Sequence, residues 1–200
     1  MDWIKKGNIF NDHWAQLPVV DVLNEAYRVY YSTRIDGKSN PMYVDFDKNT
    51  MEIVNKCEKP ILPLGDIGMF DFYGVMPTDI ITVDDGWCSG AKFMYYIGWS
   101  LRKDIPYHNK LGLAISYDDG KSWDKYSKGP VFNSSLHEPG FIGTAKILKN
   151  EKNFTMFYLS CRDWVKGNNG KLEPIYDIKT AQSNNLLDWD PTNETAINLE

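Results

Sequence analysis

The chain has 200 residues, with 22 Lys and Arg against 27 Asp and Glu and a net charge of −5 at neutral pH. Hydrophobic residues make up 42% and aromatic residues 14%, which fits a soluble globular protein and argues against disorder. An acidic balance without a basic run excludes nucleic acid or an anionic membrane surface as the main partner, and no stretch approaches the roughly 20 apolar residues that span a bilayer. In chain order, the first predicted strand is Leu17–Val20, led by Pro18. An aromatic strand, Tyr27–Arg34, and a strand over Asn40–Asp45 follow. The same series returns as Met76–Ile81 around Pro77, Lys92–Trp99 and Lys110–Ser116, with a short fourth strand at Pro130–Phe132. It returns once more as Glu138–Ile142 around Pro139, Phe154–Cys161 and Tyr176–Ser183. No helix is predicted apart from a turn near Leu186.

Three ordered series with one period of about 65 residues define an internal repeat, with units at approximately 8–68, 69–133 and 134–200. Four antiparallel strands per unit make the blade of a β-propeller, so the fold class is all-β, with about three blades in one domain. Ser116–Trp123 reads as a hairpin whose Asp and Gly supply turn geometry while Trp123 tucks into the blade. It resembles the Asp-box of sialidase-type propellers, and Ser183–Trp189 is a looser copy. Propellers close with typically 4–8 blades, so an open stack of three calls for missing C-terminal blades or a second copy of the chain. Met1–Gly7 carries no apolar leader, and Cys57, Cys88 and Cys161 read as three reduced thiols. The expected location is therefore the cytoplasm.

In a propeller the first strand of each blade lines the axis, so residues just ahead of the Pro-led strands are expected to converge. These are Asp12, His13 and Gln16 in unit one, Asp66, Asp71 and Tyr73 in unit two, and His137 and Glu138 in unit three. Neighbouring loops add Trp99, Tyr107, His108, Arg162 and Trp164. Glycosidic bond cleavage needs one carboxylic acid to protonate the leaving oxygen and one carboxylate as nucleophile or base. Glu138 is the candidate acid, with Asp71 or Asp12 as its partner. Each has a structural alternative: Glu138 capping local backbone, Asp12 making an ordinary Asx turn. Arg34 and Arg162 occupy the same place in their units. They either clamp an anionic group or pair with Asp36 and Asp163 to hold their loops. Exposed Trp99, Tyr107 and Trp164 suit a sugar platform; buried packing is the other use of such rings. His13, His108 and His137 lack metal-site spacing, so no metal and no cofactor are expected. No Gly-x-Ser-x-Gly motif is present.

With this repeat, the hairpin and the Glu138-Pro139 step, the chain resembles the five-bladed propeller glycosidases of glycoside hydrolase families 32 and 43. More narrowly, it is similar to a cytosolic bacterial branch associated with surface-polysaccharide synthesis. That resemblance rests on Phe70–Pro77, Met94–Trp99 with Ile105–Tyr107, Gly112–Gly120 and Tyr176–Ser183. It implies a five-bladed architecture and a catalytic set of two Asp and one Glu facing the axis. Glu138 stands for the acid and Asp71 for the second carboxylate. Where the family shows an Asp-Pro step, this chain has Ala15-Gln16-Leu17-Pro18, and an amide can be neither nucleophile nor base. The resemblance implies a carbohydrate-active protein that cleaves or transfers a glycosyl unit. The alternative is a propeller that binds a sugar or nucleotide-sugar without cleaving it.

Overall fold

The computed structural model describes residues 3–5, 7–84, 86 and 88–198. Met1, Asp2 and Lys6, part of the stretch read above for a leader, lie outside them. The described residues form strands, turns and bends without a helix. Strands β1 (Gln16–Val22), β2 (Ala26–Ile35), β3 (Lys38–Asp47) and β4 (Ile53–Lys56) pair antiparallel in chain order. So do β5 (Gly74–Thr82), β6 (Lys92–Ser100), β7 (His108–Ser116) and β8 (Asp124–Lys125). The third set is β9 (Ile142–Lys149), β10 (Phe154–Lys166), β11 (Leu172–Ser183) and β12 (Asp190–Ile197). One parallel pair, Ser39 on β3 with Gly74 on β5, joins the first two sets, and neither sheet closes on itself. The first strands β1, β5 and β9 lie side by side, β1 against β5 and β5 against β9. This is an all-β arrangement consistent with part of a propeller-like fold.

Alternation along the aromatic strands explains the stacking. On β6, Phe93, Tyr95, Ile97 and Trp99 enter a core shared with unit three, while Met94 and Tyr96 enter a core shared with unit one. Because both faces are covered, every residue from Lys92 to Trp99 is buried. The flanking strands β1, β4 and β12 are largely exposed.

Three local expectations are corrected. Pro18 and Pro77 lie inside β1 and β5, but Pro139 precedes β9, because a turn between Ser135 and Glu138 bonds their backbones reciprocally and holds the chain out of the sheet. The fourth strand of unit two is Asp124–Lys125. Phe132 makes only an isolated bridge to Leu111, since the Gly129-Pro130 step loops out and Pro130 has no N–H to offer. The turn near Leu186 is not helical: Leu186 has φ +65°.

The Asp-box-like hairpins tie unit to unit. Ser116 Oγ accepts from Gly120 N at 2.8 Å, Asp118 Oδ1 accepts from the Lys121 and Ser122 amides at 3.0 and 2.9 Å, and Trp123 Nε1 closes on Gly120 O at 3.1 Å. The looser copy repeats the design: Ser183 Oγ accepts from Leu186 N at 2.9 Å and Asn185 Oδ1 from Asp188 N at 2.9 Å. Tyr30 of unit one donates to Gly120 O at 3.0 Å, and Tyr95 of unit two donates to Leu186 O. A Cβ on Gly120, where φ is +79°, would lie 2.1 Å from the Tyr30 hydroxyl, so this tie needs glycine. Arg28 adds to it, gripping Asp45 at 2.7 and 2.8 Å and reaching Asp119 O at 3.1 Å.

Slight burial raises the Asp118 carboxyl, but hydrogen bonds from Ser122, Ser116 and Lys121 outweigh it and hold its pKa at about 2, below the ordinary 3.8. A carboxylate with a lowered folded pKa stabilises fully above its unfolded pKa and loses that contribution as pH falls through the folded one. The urea-midpoint gap between wild type and Asp118→Ala should be constant above about pH 5 and shrink between about pH 4 and pH 2. A gap unchanged down to that acid limit would refute the assignment.

Candidate functional site

The three carboxylates expected to converge do not share a cavity; each is bonded within its own unit. Asp12, ahead of β1, accepts from the Tyr31 hydroxyl at 2.8 Å, with Lys56 Nζ at 3.7 Å. Asp71, ahead of β5, accepts from Tyr96 at 3.2 Å and from Lys125 at 2.6 Å. Glu138, ahead of β9, accepts through Oε2 from Tyr158 at 2.8 Å, with Lys179 Nζ 3.3 Å from Oε1. Tyr31, Tyr96 and Tyr158 occupy one position of the repeat, the fifth residue of each aromatic segment. The same clamp therefore recurs three times: a loop carboxylate, a tyrosine on the second strand, and a lysine from the fourth strand in units one and two and from the third strand in unit three. Asp71 and Glu138 are 1% and 4% exposed, so the loops ahead of β5 and β9 are pinned through buried charge.

The electrostatics agree. Burial pushes the Tyr96 and Tyr158 hydroxyls up, and the facing carboxylate adds to the effect, which keeps both protonated as donors. Partial burial raises the Asp12 carboxyl, but Tyr31, the His13 amide and Lys56 together lower it below its ordinary range. Glu138 differs in one respect: its buried Oε1 accepts no hydrogen bond.

Arg34, Trp99 and Tyr107 do come together. With Met76 and Asn109 they line a cavity of about 200 Å³ beside the innermost strand β5. Arg34 lies over the Trp99 ring with its Cζ 5.0 Å from the centroid, and donates to Gly37 O at 3.0 Å. Among the described residues it pairs with neither Asp36 nor any other carboxylate. Trp99 is not the exposed platform expected. It is 8% exposed, its Nε1 bonds Ser39 Oγ at 3.0 Å, and a Cβ on Gly74 would lie 2.0 Å from that nitrogen. Tyr107 and Trp164 are half-buried and form an aromatic wall with Phe141, their ring centroids 5.4 to 5.7 Å apart.

The remaining candidates lie elsewhere. Gln16 is exposed and pairs with Ser32 at a bulge where Leu17 has φ +51°; His13 is exposed against Trp14. Arg162 has Asp177 at 3.7 Å. His108 lines a different cavity, because alternate residues of β7 face opposite ways and Asn109 faces the Arg34 cavity. No three His, Cys, Asp or Glu side chains among the described residues are arranged to hold a metal ion. The residues missed from sequence were Asn109 and the three tyrosine–lysine clamps. For the clamps the recurrence of Tyr31, Tyr96 and Tyr158 in register was the available signal.

No family model matches the chain. Two uncharacterized proteins from Mycobacterium tuberculosis strains are 29% identical over 210 residues, 98% of this chain and 67% of theirs. Among solved structures, a glycoside hydrolase superposes with a TM-score of 0.66 at 19% identity, over 90% of this chain and 56% of its own. A Bombyx mori family 32 beta-fructofuranosidase gives 0.60 at 17% identity, over 89% of this chain and 34% of its own. A family 117 glycoside hydrolase from Zobellia galactanivorans gives 0.58 at 16%, over 88% and 45%. The chain thus spans little more than half the length of these structures at most, and the likeness is one of fold: a glycoside-hydrolase-like all-β fold.

Removing one partner of a buried ion pair leaves the other charge uncompensated. Asp71→Ala should cost about 3–5 kcal/mol in urea unfolding. Asp12→Ala, which removes a hydrogen bond near the surface, should cost about 1 kcal/mol, with Glu138→Ala between them. Equal small losses for all three would refute the clamp.

Proposed function

We propose that this is a carbohydrate-active protein whose axial cavity holds a saccharide against Arg34 and the Tyr107–Trp164 wall. The observation that carries the reading is the meeting of Arg34, Trp99 and Tyr107 from two units at one cavity beside β5. Aromatic rings pack the C–H faces of a pyranose, and an unpaired guanidinium donates to hydroxyl or carboxylate oxygens. The glycoside-hydrolase-like fold of the superposed structures supports the same class of ligand. On this reading the three sets of strands are three blades of a five-bladed ring in a cytoplasmic protein. The remainder of the ring comes from further chain or a second copy. Titration with glucuronic acid and with cello-oligosaccharides should quench tryptophan fluorescence. Arg34→Ala should weaken glucuronate at least tenfold, about 1.4 kcal/mol. No quenching by either sugar would overturn the proposal.

One observation favours glycosidic cleavage as a second reading: the buried Oε1 of Glu138 accepts no hydrogen bond, although Lys179 Nζ stands 3.3 Å from it. In that reading Glu138 is the general acid that protonates the leaving oxygen. Nitrophenyl glycosides should then be cleaved, and Glu138→Gln should lower turnover at least a hundredfold while sugar binding is unchanged. Unchanged turnover in that variant would remove Glu138 from the role.

A further inference from the structure

A larger cavity, of about 560 Å³, lies on the opposite face of the β6–β7 pair from the axial one, under the loop ahead of β5. The pleat of β7 creates it by turning His108 and Lys110 away from Asn109. Phe72 and Tyr73 form an aromatic rim, their centroids 5.1 Å apart. Lys38 reaches across from the β2–β3 turn and holds its Nζ 3.5 Å from the Phe72 centroid and 5.6 Å from that of Tyr73.

The nearby charges do not balance. Arg102 is spent on Asp104 through two hydrogen bonds of 3.2 and 3.3 Å. Asp66 faces Lys128 at 3.6 Å, and Asp71 lies buried behind Phe70, committed to Lys125 and Tyr96. Lys110 and Lys38 pair with no carboxylate among the described residues. A concave site with a cationic floor and an aromatic rim concentrates anions that carry an apolar face. His108 is a half-buried group beside them, and burial first, then the charges of Lys110 and Arg102 against the weaker pull of Asp104, lowers its pKa. It is therefore a neutral hydrogen-bonding partner near neutral pH.

We propose that this second cavity binds the oxyanion of a charged sugar, phosphate or carboxylate, through Lys110 and His108, with the sugar ring against the Phe72 and Tyr73 rim. The site is independent of the axial cavity and stands whether or not that cavity holds a saccharide.

Calorimetry at low salt with glucose 1-phosphate, glucuronate, inorganic phosphate and glucose tests it. Glucose 1-phosphate or glucuronate should bind at least tenfold more tightly than glucose and inorganic phosphate, and the tighter of the two identifies the oxyanion. Lys110→Ala should weaken glucose 1-phosphate at least tenfold, Lys110→Arg should restore most of that affinity, and Arg34→Ala should leave glucose 1-phosphate binding unchanged. Affinity that follows Arg34 and ignores Lys110 would overturn this proposal while leaving the axial one standing. Anion binding that depends on Lys110, without any effect of Arg34 on sugar binding, would do the reverse. Equal affinity for glucose 1-phosphate and inorganic phosphate would remove the aromatic rim from the site.

Discussion

The structure depends on adjacent tyrosines in the aromatic strands, whose hydroxyls point to opposite sides of the sheet. On β2, Tyr30 reaches forward to the hairpin of the next unit and Tyr31 holds the loop of its own. On β6, Tyr95 and Tyr96 do the same. The strand period of two turns one dipeptide into two distinct ties: one stacks units, the other fixes the loop that enters each unit. In unit three Phe157 replaces the first tyrosine and Tyr158 keeps the second, so only the loop tie is made from β10.

This arrangement explains how the loop carboxylates Asp12, Asp71 and Glu138 are held. A carboxylate on a loop needs a donor once its surroundings are apolar, and each unit supplies a tyrosine from its second strand and a lysine from its third or fourth. The residues that convergence arguments select for acid–base work also seat the loops. The open cavities are then left to groups that no carboxylate pairs among the described residues, namely Arg34 on one side of the β6–β7 pair and Lys110 with His108 on the other. The stable clamps and the open cavities are two results of the same strand alternation.

Units one and two are bound differently from units two and three. Arg28, anchored bidentately on Asp45 and lying 4.1 Å from the Tyr43 ring centroid, crosses to Asp119 O, a charge-assisted tie with low exposure. Between units two and three the apolar core is larger, built from Tyr95, Leu111, Phe132, Ile142, Tyr158 and Trp189, and Lys146 and the Ile147 amide meet the buried Asp79. Both junctions carry a hairpin carbonyl that accepts from a tyrosine, and the first adds the Arg28 tie to Asp119 O. The other relies chiefly on area removed from water.

The all-β class, the repeat and the hairpins were legible because each follows from local chemistry. β-branched and aromatic runs demand strands, Asp-Gly and Asn-Asn demand turns, and both recur with one period. The meeting of Arg34, Trp99 and Tyr107 was also legible, since equivalent positions of a repeat fall near one another when units stack. Sequence could not say which polar group faces which, because a pleat sends neighbours such as His108 and Asn109 into different cavities. Nor could it tell a catalytic carboxylate from a clamped one, since Asp71 and Glu138 differ from solvent-facing acids only in the tyrosine and lysine brought against them from tens of residues away. Sequence alone determined the strands and their periodicity, which are short-range. Tertiary structure decided the partners of every buried charge, because that depends on which strands stack and on which face each side chain emerges.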